Sequence, residues 1–227
     1  MAIRQPLSIA LLVTGLVAVI AYVLPNQWQS TGVGLCLLVA THRLVLRHDA
    51  ATIRHYGLGL GGIFEPVPLE PRRIITALGV SLAWAGLAAL LTFPSFWVGF
   101  ALWWKPVRAF EWPPPPDLEA VLAQVLGIAM PEEIFYRGYV QTALDDAAPA
   151  RRRVLVAELG VGILLGSAVF ALGHFATTGH VARLSVFFPS LVFGWLRART
   201  GGVGSAVAFH AACNLFSAYL TRGYFPE

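Results

Sequence analysis

Apolar residues run almost unbroken through seven stretches of the chain: 7–24, 31–46, 74–92, 118–144, 154–175, 184–196 and 202–220. Each comes near the roughly 20 residues a helix needs to cross the hydrocarbon core of a bilayer. The pattern predicts seven transmembrane helices. The segment FPSFWVGFALWW (93–104) is too short to cross alone. It makes an eighth span, extends the third past Pro94, or lies at the interface, where its tryptophans fit a headgroup belt. The fold expected is therefore an all-α polytopic membrane protein, a bundle of seven helices, or eight if this segment crosses. The first run follows a short basic start, as a signal peptide does. It is longer than a usual signal core and no small-x-small cleavage site follows it, so a retained first span is expected.

Composition agrees with this reading. The chain is 57% hydrophobic and only 12% charged, with a mean hydropathy of +0.68, which excludes an ordinary soluble domain. The net charge of +4 does not imply nucleic acid, because the basic residues sit at the ends of apolar runs and act as topology signals. With a cytoplasmic N-terminus, the inside loops carry Arg47, Arg54, Arg72, Arg73, Arg151, Arg152, Arg153, Arg197 and Arg199, and the outside loops carry few, Lys105, Arg108 and Arg183. A single lysine against an abundance of arginine, alanine and glycine suggests a bacterial chain, and hence a bacterial cytoplasmic membrane. Cys36 and Cys213 lie inside apolar runs, as packing thiols rather than a disulfide. The stiff loop EWPPPPDLEA (111–120) divides the chain. Residues 1–110 hold helices and a basic loop without a recognised motif, and residues 111–227 hold nearly all the embedded polar groups.

A charge at bilayer depth costs several kcal/mol, so those embedded groups call for a reason. In PEEIFYRGYV, Glu133 and Arg137 are four apart and share a helical face, whereas Glu132 points about 100° away. Arg137 can neutralise Glu133, which leaves Glu132 without a partner on its own helix and placed to take a proton from water. Pro131 has no N–H, which frees the Gly127 carbonyl and lets the helix open there. His174 lies four residues after Phe170, on one face of its run. In the last run His210 and Asn214 are four apart and together can donate to a developing oxyanion. Each set also has a plainer reading: a charge-neutral packing network, a hydrogen-bonded core histidine, an interhelical polar clamp. Glu158, His42 and Arg43 lie near run ends, where snorkelling or loop pairing explains them.

The three motifs EExxxR (Glu132, Glu133, Arg137), FxxxH (Phe170, His174) and HxxxN (His210, Asn214), in this order and on separate helices, resemble the CAAX protease and bacteriocin-processing family. These are glutamic intramembrane proteases. The stretch FFPSLVFGWLRARTGG is similar to the family's penultimate helix through Gly194, Thr200 and Gly201, with Ser190 where a further glycine is usual. The resemblance covers 118–217. It implies that Glu132 is the general base acting on a water, that His174 positions or polarises that water, that Glu133 and Arg137 brace the site, and that His210 and Asn214 stabilise the oxyanion. It implies no metal or other cofactor and no cysteine nucleophile. The substrate it implies is a protein or peptide with a terminal tail in the bilayer, as for CAAX processing, bacteriocin leader removal or a myxosortase-type sorting reaction. Two other readings remain: a zinc peptidase using Glu132, His174 and His210, though HExxH spacing is absent, and a non-catalytic immunity or scaffold protein.

Overall fold

The computed structural model describes residues 3–226. Helix α1 (Arg4–Val23) turns at Leu24–Pro25 into α2 (Asn26–Thr41), whose last turn widens to π geometry over His42–Leu46. A short α3 (Ala50–His55) lies in the loop that leads to α4 (Pro71–Trp104). Residues 118–147 form one helical rod, α5, in five consecutive pieces: Leu118–Leu122, π-helical Ala123–Ala129, Met130–Glu133, π-helical Ile134–Gln141 and Thr142–Ala147. The chain then makes a hairpin of β1 (Arg152–Val154) and β2 (Ala157–Leu159), followed by α6 (Val161–Thr178), a 3₁₀ turn Val181–Val186 leading into α7 (Phe187–Thr200), and α8 (Gly204–Tyr224).

Seven long rods thus stand where seven apolar runs predict them, and this is a helical polytopic membrane protein. The segment 93–104 is no separate span: it continues α4 through Pro94 to Trp104, and at 34 residues α4 is about 50 Å long, well beyond a bilayer core. Among the described residues five helices are long and apolar enough to cross a membrane; α5 and α8 are not among them. The reason lies in their chemistry, since α5 carries Glu119, Glu132, Glu133 and Arg137 and α8 carries His210 and Asn214. The bundle surface is apolar, with Leu12, Leu90 and Leu102 each about 70% exposed, as a lipid-facing wall requires.

One predicted boundary moves. The run 154–175 was expected to be helical from Val154, but Val154–Leu159 belongs to the hairpin and the helix begins at Val161. Asp145 near the end of α5 accepts the Gly162 N–H at 2.7 Å, fixing that start from a neighbouring rod. Glu158 stands opposite Arg153 across the hairpin, at the loop where pairing with those arginines was expected.

Contacts between loops define the two ends of the bundle. At one end His55 reaches Asp146 at 2.8 Å, Arg197 donates to the His55 carbonyl at 3.0 Å, Trp195 donates to the Val154 carbonyl at 3.2 Å, and the Val203 N–H donates to the Gly57 carbonyl at 3.0 Å. The arginines expected on the cytoplasmic side gather here. At the other end the Glu111 N–H donates to the Gly223 carbonyl at 2.9 Å and Trp97 donates to the Tyr224 hydroxyl at 2.9 Å, within an aromatic cluster that includes Phe110 and Trp112.

Candidate active site

The site begins with the irregularity of α5. Pro131 removes one helical hydrogen bond, and π-helical turns flank the four residues Met130–Glu133 on both sides. Gly34 of α2 lies against this opening: a methyl there would stand 3.1 Å from the Gly127 carbonyl oxygen and 3.5 Å from Pro131. The close approach of α2 needs that glycine. The neighbouring Tyr136 is tied to α1 through a hydrogen bond between its hydroxyl and that of Thr14, at 3.0 Å.

Glu133 and Arg137 meet as their spacing predicts, with Arg137 Nε 3.2 Å from Glu133 Oε2 and both side chains all but fully buried. A buried guanidinium has more N–H groups than one carboxylate can satisfy. Ser190 on α7 meets part of this demand: Arg137 donates to its Oγ at 2.8 Å, and its carbonyl lies 3.4 Å away. The guanidinium also lies 4.4 Å from the ring centre of Phe170 and 5.2 Å from that of Phe193. Serine in place of the expected glycine therefore serves Arg137 while remaining small enough for α5 and α7 to pack closely, as Gln141 donating to the Gly194 carbonyl at 3.0 Å also requires.

The other oxygen of Glu133 holds His210, whose Nδ1 lies 2.9 Å from Oε1. The His210 ring stacks on Phe193 with ring centres 4.8 Å apart and planes inclined by 14°. Its Nε2 consequently turns toward Glu132, 3.8 Å from Oε2. His174 Nε2 approaches the same oxygen from α6 at 3.9 Å, with Phe170 packed edge-on against its ring. Both distances are too long for direct hydrogen bonds and short enough for a water to touch both groups. Among the described residues Glu132 Oε2 has no hydrogen-bond partner, nor have Glu133 Oε2 and Arg137 Nη1 beyond the ion pair of those two residues. Two carboxylates facing one guanidinium leave the cluster one negative charge in excess, which a proton on Glu132 or on an imidazole neutralises.

Glu132, His174, His210 and Asn214 line one cavity of about 690 Å³. Val17 and Ala21 of α1 and Val33 and Leu37 of α2 give it an apolar wall. Thr178, Arg183 and Arg222 mark its mouth, at the end of the bundle away from the clustered arginines. Asn214 is not directed only at the cavity, since its Nδ2 donates to Gln124 Oε1 at 3.0 Å. All six residues expected from the sequence thus meet at one place. Gln124 and Thr14 escaped the sequence reading, which takes Ser190 only as a departure from glycine. For Gln124 the available signal was an uncharged polar residue within the apolar run 118–144. Cys36 and Cys213 are both free thiols, and Cys213 lines the cavity.

The class that fold and site define is a helical polytopic membrane protein with glutamates and histidines from three helices gathered at one cavity. Residues 114–216 match the family described as Type II CAAX prenyl endopeptidase Rce1-like, so this segment is similar to the CAAX-type proteases. The matched residues contain all six site residues. No curated protein and no solved structure matches the chain.

Proposed function

We propose that the protein is an endopeptidase of the glutamic type, in which Glu132 activates a water against a peptide bond near the end of a membrane-associated or exported protein. The observation that carries this reading is Glu132 Oε2, without a hydrogen-bond partner among the described residues, 3.9 Å from His174 Nε2 and 3.8 Å from His210 Nε2 and on a residue that lines the cavity, while Glu133 forms an ion pair with Arg137 at 3.2 Å and meets His210 Nδ1 at 2.9 Å.

The roles follow from these partners. Glu132 takes a proton from a water held between it and His174, and the water oxygen bonds to the scissile carbonyl carbon. Negative charge then develops on the carbonyl oxygen, where His210 and Asn214 donate. Glu133 accepts from His210 Nδ1, so a proton on Nε2 makes an imidazolium that this carboxylate stabilises. As the tetrahedral intermediate collapses, the C–N bond breaks and the proton on Glu132 passes to the leaving nitrogen. The products are a carboxylate and an amine, and no acyl-enzyme forms.

The cavity mouth lies at the end opposite the clustered arginines. By the positive-inside preference that end faces away from the cytoplasm. This favours exported substrates in a bacterial cytoplasmic membrane and a sorting reaction of the myxosortase kind over the processing of a cytosolic prenylated tail. Purified protein with Glu132→Gln tests the reading: it should bind a tail peptide and fail to cleave it, whereas cleavage at the wild-type rate would rule Glu132 out as the base. Metal content of the wild-type protein, measured in parallel, separates this mechanism from a zinc peptidase.

A further inference from the structure

The arginine-rich end of the bundle holds a second recess of about 620 Å³, and none of its residues lines the candidate active site. Helix α8 starts there at Gly204 without a side-chain cap, so the N–H groups of its first turn have no partner inside the helix. Ser205 lines the recess, is only 1% exposed, and its Oγ has no hydrogen-bond partner among the described residues. A buried hydroxyl left in this state beside uncapped N–H groups calls for an acceptor from outside. Gly201 and Gly202 precede the helix and line the same recess without side chains of their own, while Leu60 and Ser81 pack against Gly204; Gly201 holds a φ of +73°.

The charges around this turn have the complementary sign. Arg54, Arg72 and Arg73 line the recess against the single acid Glu65. Glu65 is buried and pairs with Arg54 and with Arg73, the latter at 3.5 Å. Arg72 is exposed and has no acidic partner among the described residues. A helix N-terminus with free donors and an unpaired arginine lining the same recess suits an oxyanion.

We propose that this recess binds a phosphate group, and the walls point to the headgroup of an anionic phospholipid as its source. Leu60, Ala77 and Val80 line the recess beside the arginines, and Val80 is 44% exposed on the outer surface of α4. A phosphodiester can thus sit on Ser205 and Arg72 while its acyl chains follow α4 into the bilayer. The bundle end is the one that the positive-inside preference assigns to the cytoplasmic leaflet, where anionic lipids attract basic groups. The bound group would brace the start of the helix that carries His210 and Asn214.

Full-length protein in a neutral detergent, offered phosphatidylglycerol or phosphatidylcholine and examined by native mass spectrometry, tests the proposal. Phosphatidylglycerol should be retained in preference, with about fivefold weaker retention for Arg72→Gln and a measurable loss for Ser205→Ala. Arg222→Gln at the opposite end should retain it as the wild type does. A parallel titration with sodium phosphate at fixed ionic strength, followed by thermal unfolding, distinguishes the sources. A shift that Ser205→Ala abolishes assigns the site to free phosphate. Equal retention of the two lipids with no such shift overturns the proposal, and so does an equal loss in Arg222→Gln. Neither readout uses proteolysis, so the result is independent of the active-site reading.

Discussion

His210 Nδ1 lies 2.9 Å from Glu133 Oε1, and the second oxygen of the same carboxylate lies 3.2 Å from Arg137 Nε. Glu133 is the hub of the site, and its neighbour Glu132 is the free arm. The two adjacent glutamates should therefore fail in different ways. Glu133→Gln leaves a buried guanidinium without its counter-ion, which should cost about 3 kcal/mol or more. Glu132→Gln removes a charge that has no guanidinium within ion-pair distance and should cost clearly less stability than Glu133→Gln. Denaturant or thermal unfolding of both variants in one detergent checks this, and equal stabilities would contradict it.

His174 touches Glu132 at 3.9 Å and is otherwise held by Phe170. His174→Ala should lower kcat by about 10²-fold with little change in unfolding midpoint. A large fall in the midpoint would make this histidine a packing residue.

Gln124 accepts from one Asn214 N–H and so directs the other. Asn214→Ala removes the proposed oxyanion donor and should cost about 10²–10³-fold in kcat. Gln124→Ala only loosens that donor and should cost about tenfold or less. If Gln124→Ala proves as damaging as Asn214→Ala, the glutamine acts directly in the chemistry.

Ser190→Gly restores the residue expected from the family and should destabilise this protein by about 1–3 kcal/mol, because Arg137 loses the Oγ acceptor. Ser190→Ala should be destabilised as well if the hydroxyl is the cause, with Ser190→Gly up to about 1 kcal/mol lower still because glycine loosens the helix. A stability equal to wild type in both would remove Ser190 from the network.

The sequence pattern disclosed some of this architecture for clear physical reasons. Apolar runs near twenty residues located the seven rods, because the bilayer imposes that length. Glu133 with Arg137, and the isolation of Glu132, could be read from a spacing of four on one helix. The meeting of Glu132 with His174 and His210 could not, because no spacing relates residues on three rods, and only the family resemblance pointed to it. The hairpin at 152–159 was hidden by its own apolarity: VLVAELG continues the hydropathy of the helix after it, and the cap from Asp145 comes from another rod. Ser190 looked like a neutral departure from glycine until the unsatisfied N–H groups of Arg137 were counted.

The orientation is testable by labelling. In a background with Cys36 and Cys213 replaced, Thr178→Cys at the cavity mouth should react with an impermeant maleimide on intact cells. Arg152→Cys in the hairpin should react only after permeabilisation. The reverse pattern would turn the cavity toward the cytoplasm and favour cytosolic tails as substrates.

The central claim is that Glu132 makes this bundle a protease. The most direct measurement compares, by mass spectrometry, the termini of membrane and secreted proteins from cells making the wild type or Glu132→Gln at equal level. The account predicts a small set of proteins that keep a terminal tail only in the variant. Identical termini, with both proteins folded and present in the membrane, would contradict it and favour a non-catalytic role for the cluster.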